Sequence, residues 1–298
     1  MSIINDLKLQ YRTGGIAQKL IYWNVGLFAI PAIVFGILSL FQLKIDYLSF
    51  VSLDSSPSSL VWKPWSVVTY AFFHSGIWHI LFNMLILNFA SRLFTTYFSQ
   101  KQLLGLYILG GIFAGLVYLM SYLALPVFQN SMATLVGSSG AVMAILFATV
   151  TYNPYYEIQL MFIGRVKLWH IAAFLIVIDL IQLPVSNTGG HLAHLGGALF
   201  GYLFMYLLRN GTDLSDIVTA IINFFVNKTQ SRKSKTPFKK VHKTYNPAPA
   251  SATSSSRIIK KDKTQQQIDD ILDKISASGY DSLSKEEKEF LFRAGKQS

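Results

Sequence analysis

Six apolar runs constrain what this chain can fold into. They extend over about Leu20 to Leu43, Ser66 to Phe94, Leu103 to Leu125, Val136 to Tyr152, Val166 to Leu183 and Gly189 to Leu208. Most of them come near the ~20 residues that cross a bilayer, and in lipid the backbone must satisfy its own hydrogen bonds. The reading is therefore an all-α, polytopic membrane protein of six transmembrane helices. The fourth run is short for a full span. After Leu208 the composition shifts to Lys, Ser, Thr and Gln. Residues 1–19 are read as a cytoplasmic segment, with Gly14-Gly15 breaking any helix in it. The spans occupy 20–209. An interfacial helix follows over 210–228, then a basic disordered linker over 229–263. Residues 264–298 read as a small cytoplasmic helical hairpin, with Ser284 and Glu287 spaced for a capping box.

The formal net charge is +11. In a chain this apolar the excess points to membrane orientation before nucleic acid, and no nucleic-acid partner is expected. Arg92, Lys101, Arg165, Lys167 and Arg209 border one set of loops. The opposite loops, Pro126 to Leu135 and Pro184 to Thr188, carry no Lys or Arg, and the remaining one has only Lys44 and Lys63. Both termini are accordingly expected in the cytoplasm of a multi-pass cell-membrane protein, with a bacterial inner membrane as the location. The sequence has no cysteine, which excludes disulfides and thiolate sites. No small-residue cleavage site closely follows the first run, which is read as a retained span.

Three stretches place polar groups where lipid makes them expensive. Gly137-Ser138-Ser139-Gly140 heads the fourth run, His191 and His194 lie early in the sixth, and His74, His79 and Asn83 lie in the second. With the N-terminus inside, runs two, four and six share one direction, so these groups reach comparable depth and are least costly facing one another. A serine hydroxyl becomes a nucleophile when a neutral histidine takes its proton. The resulting oxyanion needs preorganised donors. Ser139 at a helix start offers backbone N–H groups. His79 and Asn83, at i and i+4, share a helix face. Gly137 and Gly140 leave room for close approach, and Gly197 and Gly201 form a small-residue face suited to packing on the fourth span.

These motifs resemble the rhomboid family of intramembrane serine proteases. Gly137-Ser138-Ser139-Gly140 matches the family's Gly-x-Ser-Gly. Ala193-His194, with Gly197 and Gly201, matches its histidine motif, and His74, His79 and Asn83 match its second-span motif. The resemblance makes 20–209 a rhomboid catalytic domain, a six-helix bundle. It implies Ser139 as nucleophile, His194 as base, and His79, Asn83 and the Ser139 backbone as oxyanion donors. Implied partners are transmembrane-protein substrates and the lipid bilayer, with no cofactor and no metal. Met143 stands where many relatives carry an aromatic residue, and Trp65-Ser66 where many have Trp-Arg.

Other readings stand beside this one. The glycines and serines taken alone fit helix packing equally well. A non-catalytic relative that binds and escorts transmembrane helices is the alternative function. Zinc on His74 and His79 is disfavoured by their i, i+5 spacing and the want of an acidic ligand. His74 and His191 read as structural hydrogen-bonders. Asp179 reads as an interfacial acid near the outer surface, with a third catalytic role as the lesser option. His170 falls near the opposite face, too far from Ser139 to join it.

Overall fold

A computed structural model describes residues 2–161, 163–229 and 263–295. Helix α1 (Ile3–Thr13) ends at Gly14, so the basic N-terminal segment is helical up to the glycine pair. Helix α2 (Ile16–Leu40) is the first apolar run and accommodates Pro31. The loop after it holds α3 (Tyr47–Val51), strand β1 (Leu53–Asp54) and α4 (Ser59–Trp62).

The second run does not form one helix from Ser66 to Phe94. It forms α5 (Ser66–Thr69), a 3-10 turn over Tyr70–Phe72, an extended Phe73 and then α6 (Ile77–Thr95). Polar backbone groups in this break find partners elsewhere in the chain. The N–H of Gly137 donates to the Tyr70 carbonyl at 2.9 Å, and the Tyr107 hydroxyl donates to the Ala71 carbonyl at 2.8 Å. Hydropathy averaged over a window does not register such a turn, because His74 and Ser75 are outnumbered by apolar neighbours.

Helix α7 (Gln100–Ala124) starts at a reciprocal capping box between Ser99 and Gln102. Strand β2 (Thr134–Leu135) pairs antiparallel with β1, Leu53 opposite Leu135, and ties the first loop to the segment entering α8 (Ser139–Tyr152). The connection after α8 is a hairpin of β3 (Glu157–Leu160) and β4 (Gly164–Lys167), where the sequence predicts only loop and the start of a span. Then come α9 (Leu168–Gln182), α10 (Thr188–Arg209) and α11 (Ser215–Thr229).

Among the described residues, four helices, α2, α6, α7 and α10, are long and apolar enough to cross a membrane. With 14 and 15 residues, α8 and α9 fall short by length. The fold shown is a mostly helical membrane bundle with four candidate spans. Helix α8 is its centre, packed by α6, α7, α9 and α10. Residues from Gly140 to Leu146 are buried on every side of it. At 1.5 Å per residue α8 is about 21 Å long against a ~30 Å hydrocarbon layer. Arg209, at the end of α10, donates to the carbonyls of Thr151 and Tyr152 at 3.0 and 2.9 Å, so α8 and α10 finish side by side and run parallel.

Close backbone approach sets the α8–α10 contact. A Cβ on Gly197 would stand 2.1 Å from the Gly140 carbonyl oxygen, and one on Gly201 2.2 Å from that of Ala144. Without side chains at these two places the helices meet backbone to backbone. Deeper support comes from buried polar groups. The Tyr70 hydroxyl donates to the Gly111 carbonyl at 2.5 Å, and Asn24 Nδ2 donates to the Tyr107 hydroxyl at 3.0 Å.

The described residues beyond α11 form a separate unit. It consists of α12 (Lys263–Ser278) and α13 (Lys285–Gly295). Ser284 and Glu287 make reciprocal capping bonds, and Lys274 reaches both Glu287 carboxylate oxygens at 2.9 Å. The linker expected over 229–263 lies outside the described residues but for its two ends.

Candidate active site

Gly137 turns the chain into α8 with φ +122°, a region L side chains rarely adopt. A Cβ there would also lie 2.7 Å from His79 Nε2. The turn leaves Ser138 pointing into the protein and Ser139 opening the helix. Ser138 is fully buried; its hydroxyl donates to Asn83 Oδ1 at 3.1 Å and lies 3.4 Å from His74 Nε2. Ser139 faces a cavity instead. Its Oγ is 2.7 Å from Nε2 of His194, which sits in the second turn of α10.

His79, in the first turn of α6, comes from the other side. Its Nδ1 is 3.0 Å from Ser75 Oγ, which leaves Nε2 turned toward Gly137. Asn83, one turn on, donates an Nδ2 hydrogen to the His79 carbonyl at 2.8 Å and holds Ser138 through its oxygen. Its carboxamide is thus anchored at both ends, and one N–H remains for a ligand. The first N–H groups of α8 have no intrahelical acceptor. The cavity, about 660 Å³, is lined by Ser75, His79, Asn83, Ser139, His191 and His194 among others.

The other residues singled out from sequence fall in different places. His74 packs edge-on to His79 with ring centroids 5.1 Å apart. The two are neighbours despite the i, i+5 spacing, because His74 lies in the turn before α6. Met143 is buried in α8 and lines the cavity. Trp65 donates its indole N–H to the Phe50 carbonyl at 2.9 Å, and the Ser66 hydroxyl donates to the Lys63 carbonyl at 2.7 Å. His170, in the first turn of α9, lines a second cavity of about 460 Å³ that is almost wholly apolar.

Asp179 is where the structure departs most from the sequence reading. The sequence places it as an interfacial acid near the outer surface, with a third catalytic role as the lesser option; it is 5% exposed, on the face of α9 that meets α10. Its Oδ1 is 2.9 Å from His194 Nδ1 and 2.7 Å from His191 Nδ1. These three residues place potential ligand atoms within 4.8 Å of one another, and their mutual hydrogen bonds account for the grouping. The signal was available in sequence: a lone carboxylate in an apolar run needs a partner, and the nearest donors at that depth are the histidines of run six.

A Rhomboid domain family model matches residues 61–211, about half of the chain and the whole of the region just described. The chain belongs to the rhomboid family. A second match, to a Family of unknown function (DUF6576), covers residues 259–296. RHOMBOID-like protein 12, mitochondrial, of Arabidopsis thaliana is 30% identical over 172 residues, 54% of this chain and 50% of that protein. Presenilin-associated rhomboid-like protein A, mitochondrial, of Danio rerio is 28% identical over 145 residues, 47% of this chain and 36% of that protein. Presenilin-associated rhomboid-like protein, mitochondrial, of Rattus norvegicus is 27% identical over 193 residues, 60% of this chain and 47% of that protein. This rhomboid thus spans half or less of the length of these curated relatives. All three are named as mitochondrial, which overturns the expectation of a bacterial inner membrane. With it falls the assignment of the termini to a bacterial cytoplasm.

Proposed function

We propose that this rhomboid is an intramembrane serine endopeptidase. It hydrolyses peptide bonds in or near transmembrane segments of other membrane proteins, in a mitochondrial membrane as its relatives' names suggest. The observation that carries the reading is the 2.7 Å approach of Ser139 Oγ to His194 Nε2 inside a cavity that also presents His79 and Asn83. His194 takes the proton of Ser139 as the oxygen attacks the scissile carbonyl. The developing oxyanion is met by His79, by the free N–H of Asn83 and by the N–H of Ser139 at the head of α8. Protonated His194 then gives its proton to the leaving amine. Water from the cavity, activated by the same histidine, hydrolyses the acyl-enzyme. On this reading α8 and α9 count as the fourth and fifth of six spans although they are short, and the length of α8 leaves Ser139 on the floor of a water-filled recess.

Cleavage of a transmembrane test substrate by the purified chain in proteoliposomes tests this. Ser139→Ala is expected to abolish cleavage, with Ser138→Ala retaining most of it. Full cleavage by the Ser139→Ala protein refutes the assignment. A wild-type chain that binds the substrate helix without cutting it favours the non-catalytic, helix-escorting alternative.

A further inference from the structure

We infer that Asp179, His191 and His194 form a reversible, inhibitory binding site for a divalent transition-metal ion of the zinc class. The effect on activity rests on the protease reading above; the metal site itself does not. His191 and His194 stand three residues apart on α10 and so project from one helix face. Asp179 comes to them from α9, its Oδ1 lying 2.7 Å from His191 Nδ1 and 2.9 Å from His194 Nδ1. Among the described residues this is the one group of three His, Asp or Glu side chains whose ligand atoms all lie within 4.8 Å of one another. Two imidazoles and a carboxylate suit Zn²⁺, Co²⁺ or Ni²⁺; they suit Mg²⁺ poorly, which prefers an octahedron of oxygens. Tetrahedral zinc, with bonds of about 2.0–2.1 Å, sets its ligand atoms roughly 3.3 Å apart. Each Nδ1 therefore needs to draw back from Oδ1 by only about half an ångström. Both rings border the cavity that opens at Ser139, so an ion can enter from water and keep a water molecule as its fourth ligand. A buried carboxylate is poorly compensated by two neutral donors, and a dication between the three groups meets its charge directly.

The consequence for His194 follows from its tautomers. An ionised carboxylate only accepts hydrogen bonds, so in the metal-free cluster each Nδ1 carries a proton. His194 Nε2, 2.7 Å from Ser139 Oγ, then has a free lone pair. A metal ion binds through a lone pair. Once it holds Nδ1, the single proton of the neutral ring resides on Nε2. His194 then donates to Ser139 Oγ and cannot take its proton. Only the position of that proton changes, so removal of the ion by a chelator restores the base.

The experiment uses the full-length chain, purified without a polyhistidine tag and stripped of metal. It compares wild type, Ser139→Ala, His191→Gln, Asp179→Asn and His170→Ala. Gln and Asn keep a polar partner in the cluster while removing a ligand, and thermal midpoints identify the folded variants. Co²⁺ is the spectroscopic probe. Ser139→Ala is expected to bind a single equivalent of Co²⁺ with the visible absorption of a tetrahedral site, displaced by Zn²⁺. Folded His191→Gln and Asp179→Asn are expected to lose that signal. Zn²⁺ is expected to stop fluorophosphonate labelling of wild type and of His170→Ala, a chelator to restore it, and Mg²⁺ to leave it unchanged. Labelling of folded His191→Gln, referred to its own metal-free rate, is expected to ignore Zn²⁺. Absence of the Co²⁺ signal in folded Ser139→Ala overturns the site, as does an equal signal in both ligand variants, which would mean adventitious binding. Co²⁺ held at the cluster with labelling unaffected overturns the inhibition. If metal-free wild type neither labels nor cleaves, the protease reading has failed, and the Co²⁺ titration of Ser139→Ala still decides the metal site.

Discussion

Gly197→Ala is the perturbation whose effect can be worked most directly from the structure. The new Cβ would stand 2.1 Å from the Gly140 carbonyl oxygen, 2.9 Å from its carbonyl carbon and 3.2 Å from its Cα. All three are backbone atoms of α8 and cannot rotate aside. Reaching even a tight contact requires α10 to move about 1 Å away from α8. Overpacking of this kind costs roughly 1–3 kcal/mol. The functional cost is larger, because Gly140 and Gly197 each lie within one turn of the facing pair. A displacement of about 1 Å stretches the 2.7 Å Ser139–His194 contact beyond hydrogen-bond length, and misplacement on that scale costs ~10²-fold in rate. The control is Gly36→Ala in α2, where a Cβ meets nothing within 4 Å. Both variants would be followed by thermal melting in detergent and by the rate of fluorophosphonate labelling. The expected result is a lower melting temperature and a ~10²-fold slower labelling for Gly197→Ala, with Gly36→Ala close to wild type. Unchanged melting and labelling in Gly197→Ala would refute the claim that backbone contact at this position sets the site.

His79→Ala is expected to lose roughly 2.7–4 kcal/mol of transition-state stabilisation, read in kcat and not in KM; a stability loss with normal turnover would make His79 a packing residue only. Asn83→Ala should be milder in turnover, since part of its amide is committed to the His79 carbonyl, and measuring both variants on the same preparations checks the order. Ser138→Ala leaves Asn83 Oδ1 and His74 Nε2 without the hydroxyl between them, and should cost about 1–3 kcal/mol of stability with labelling of Ser139 retained. Outside the spans, burial pushes the Asp213 carboxyl up, but hydrogen bonds from Ser215 and Gln102 and the charge of Lys101 outweigh it and hold the pKa below the usual carboxylate value. A depressed pKa contributes stability that is complete above the unfolded value and is lost as pH falls through the folded one. Acidification should therefore loosen the α7–α11 junction in wild type, and protease susceptibility of α11 should lose that pH dependence in Asp213→Asn; identical profiles would contradict this.

What could be read from sequence and what could not divide along physical lines. Apolar runs of membrane length announce helices because lipid offers the backbone no alternative. The serine, histidine and asparagine stretches could be brought together in advance because isolated polar groups at equal depth have only one another to pair with. Gly197 and Gly201 were legible as a contact face, since small residues four apart let two backbones meet. The break at Tyr70–Gly76 was not legible. Its hydrogen-bond partners Gly137, Tyr107 and Gly111 are distant in sequence, and the apolar residues on either side carry a window average across His74, Ser75 and Gly76. The β3–β4 hairpin was hidden differently. Glu157 and Gln159 alternate with Ile158 and Leu160, a strand pattern, but the run was short and adjoined a span. Lys63, which weakens the charge rule on its side, is paired with Asp54 at 2.5 Å, a partnership nine residues apart that orientation counting ignores. The pairing of Asp179 with His191 and His194 was not read because its own run does not show the face of α10 that it meets.

The most direct test of the central claim is labelling of the purified full-length chain with a fluorophosphonate, with the modified residue located by mass spectrometry of the peptide spanning α8. The account predicts a single adduct on Ser139, absent from Ser139→Ala and strongly slowed in His194→Ala while both proteins melt near wild type. An adduct on Ser138, or equal labelling of folded wild type and folded His194→Ala, would contradict it.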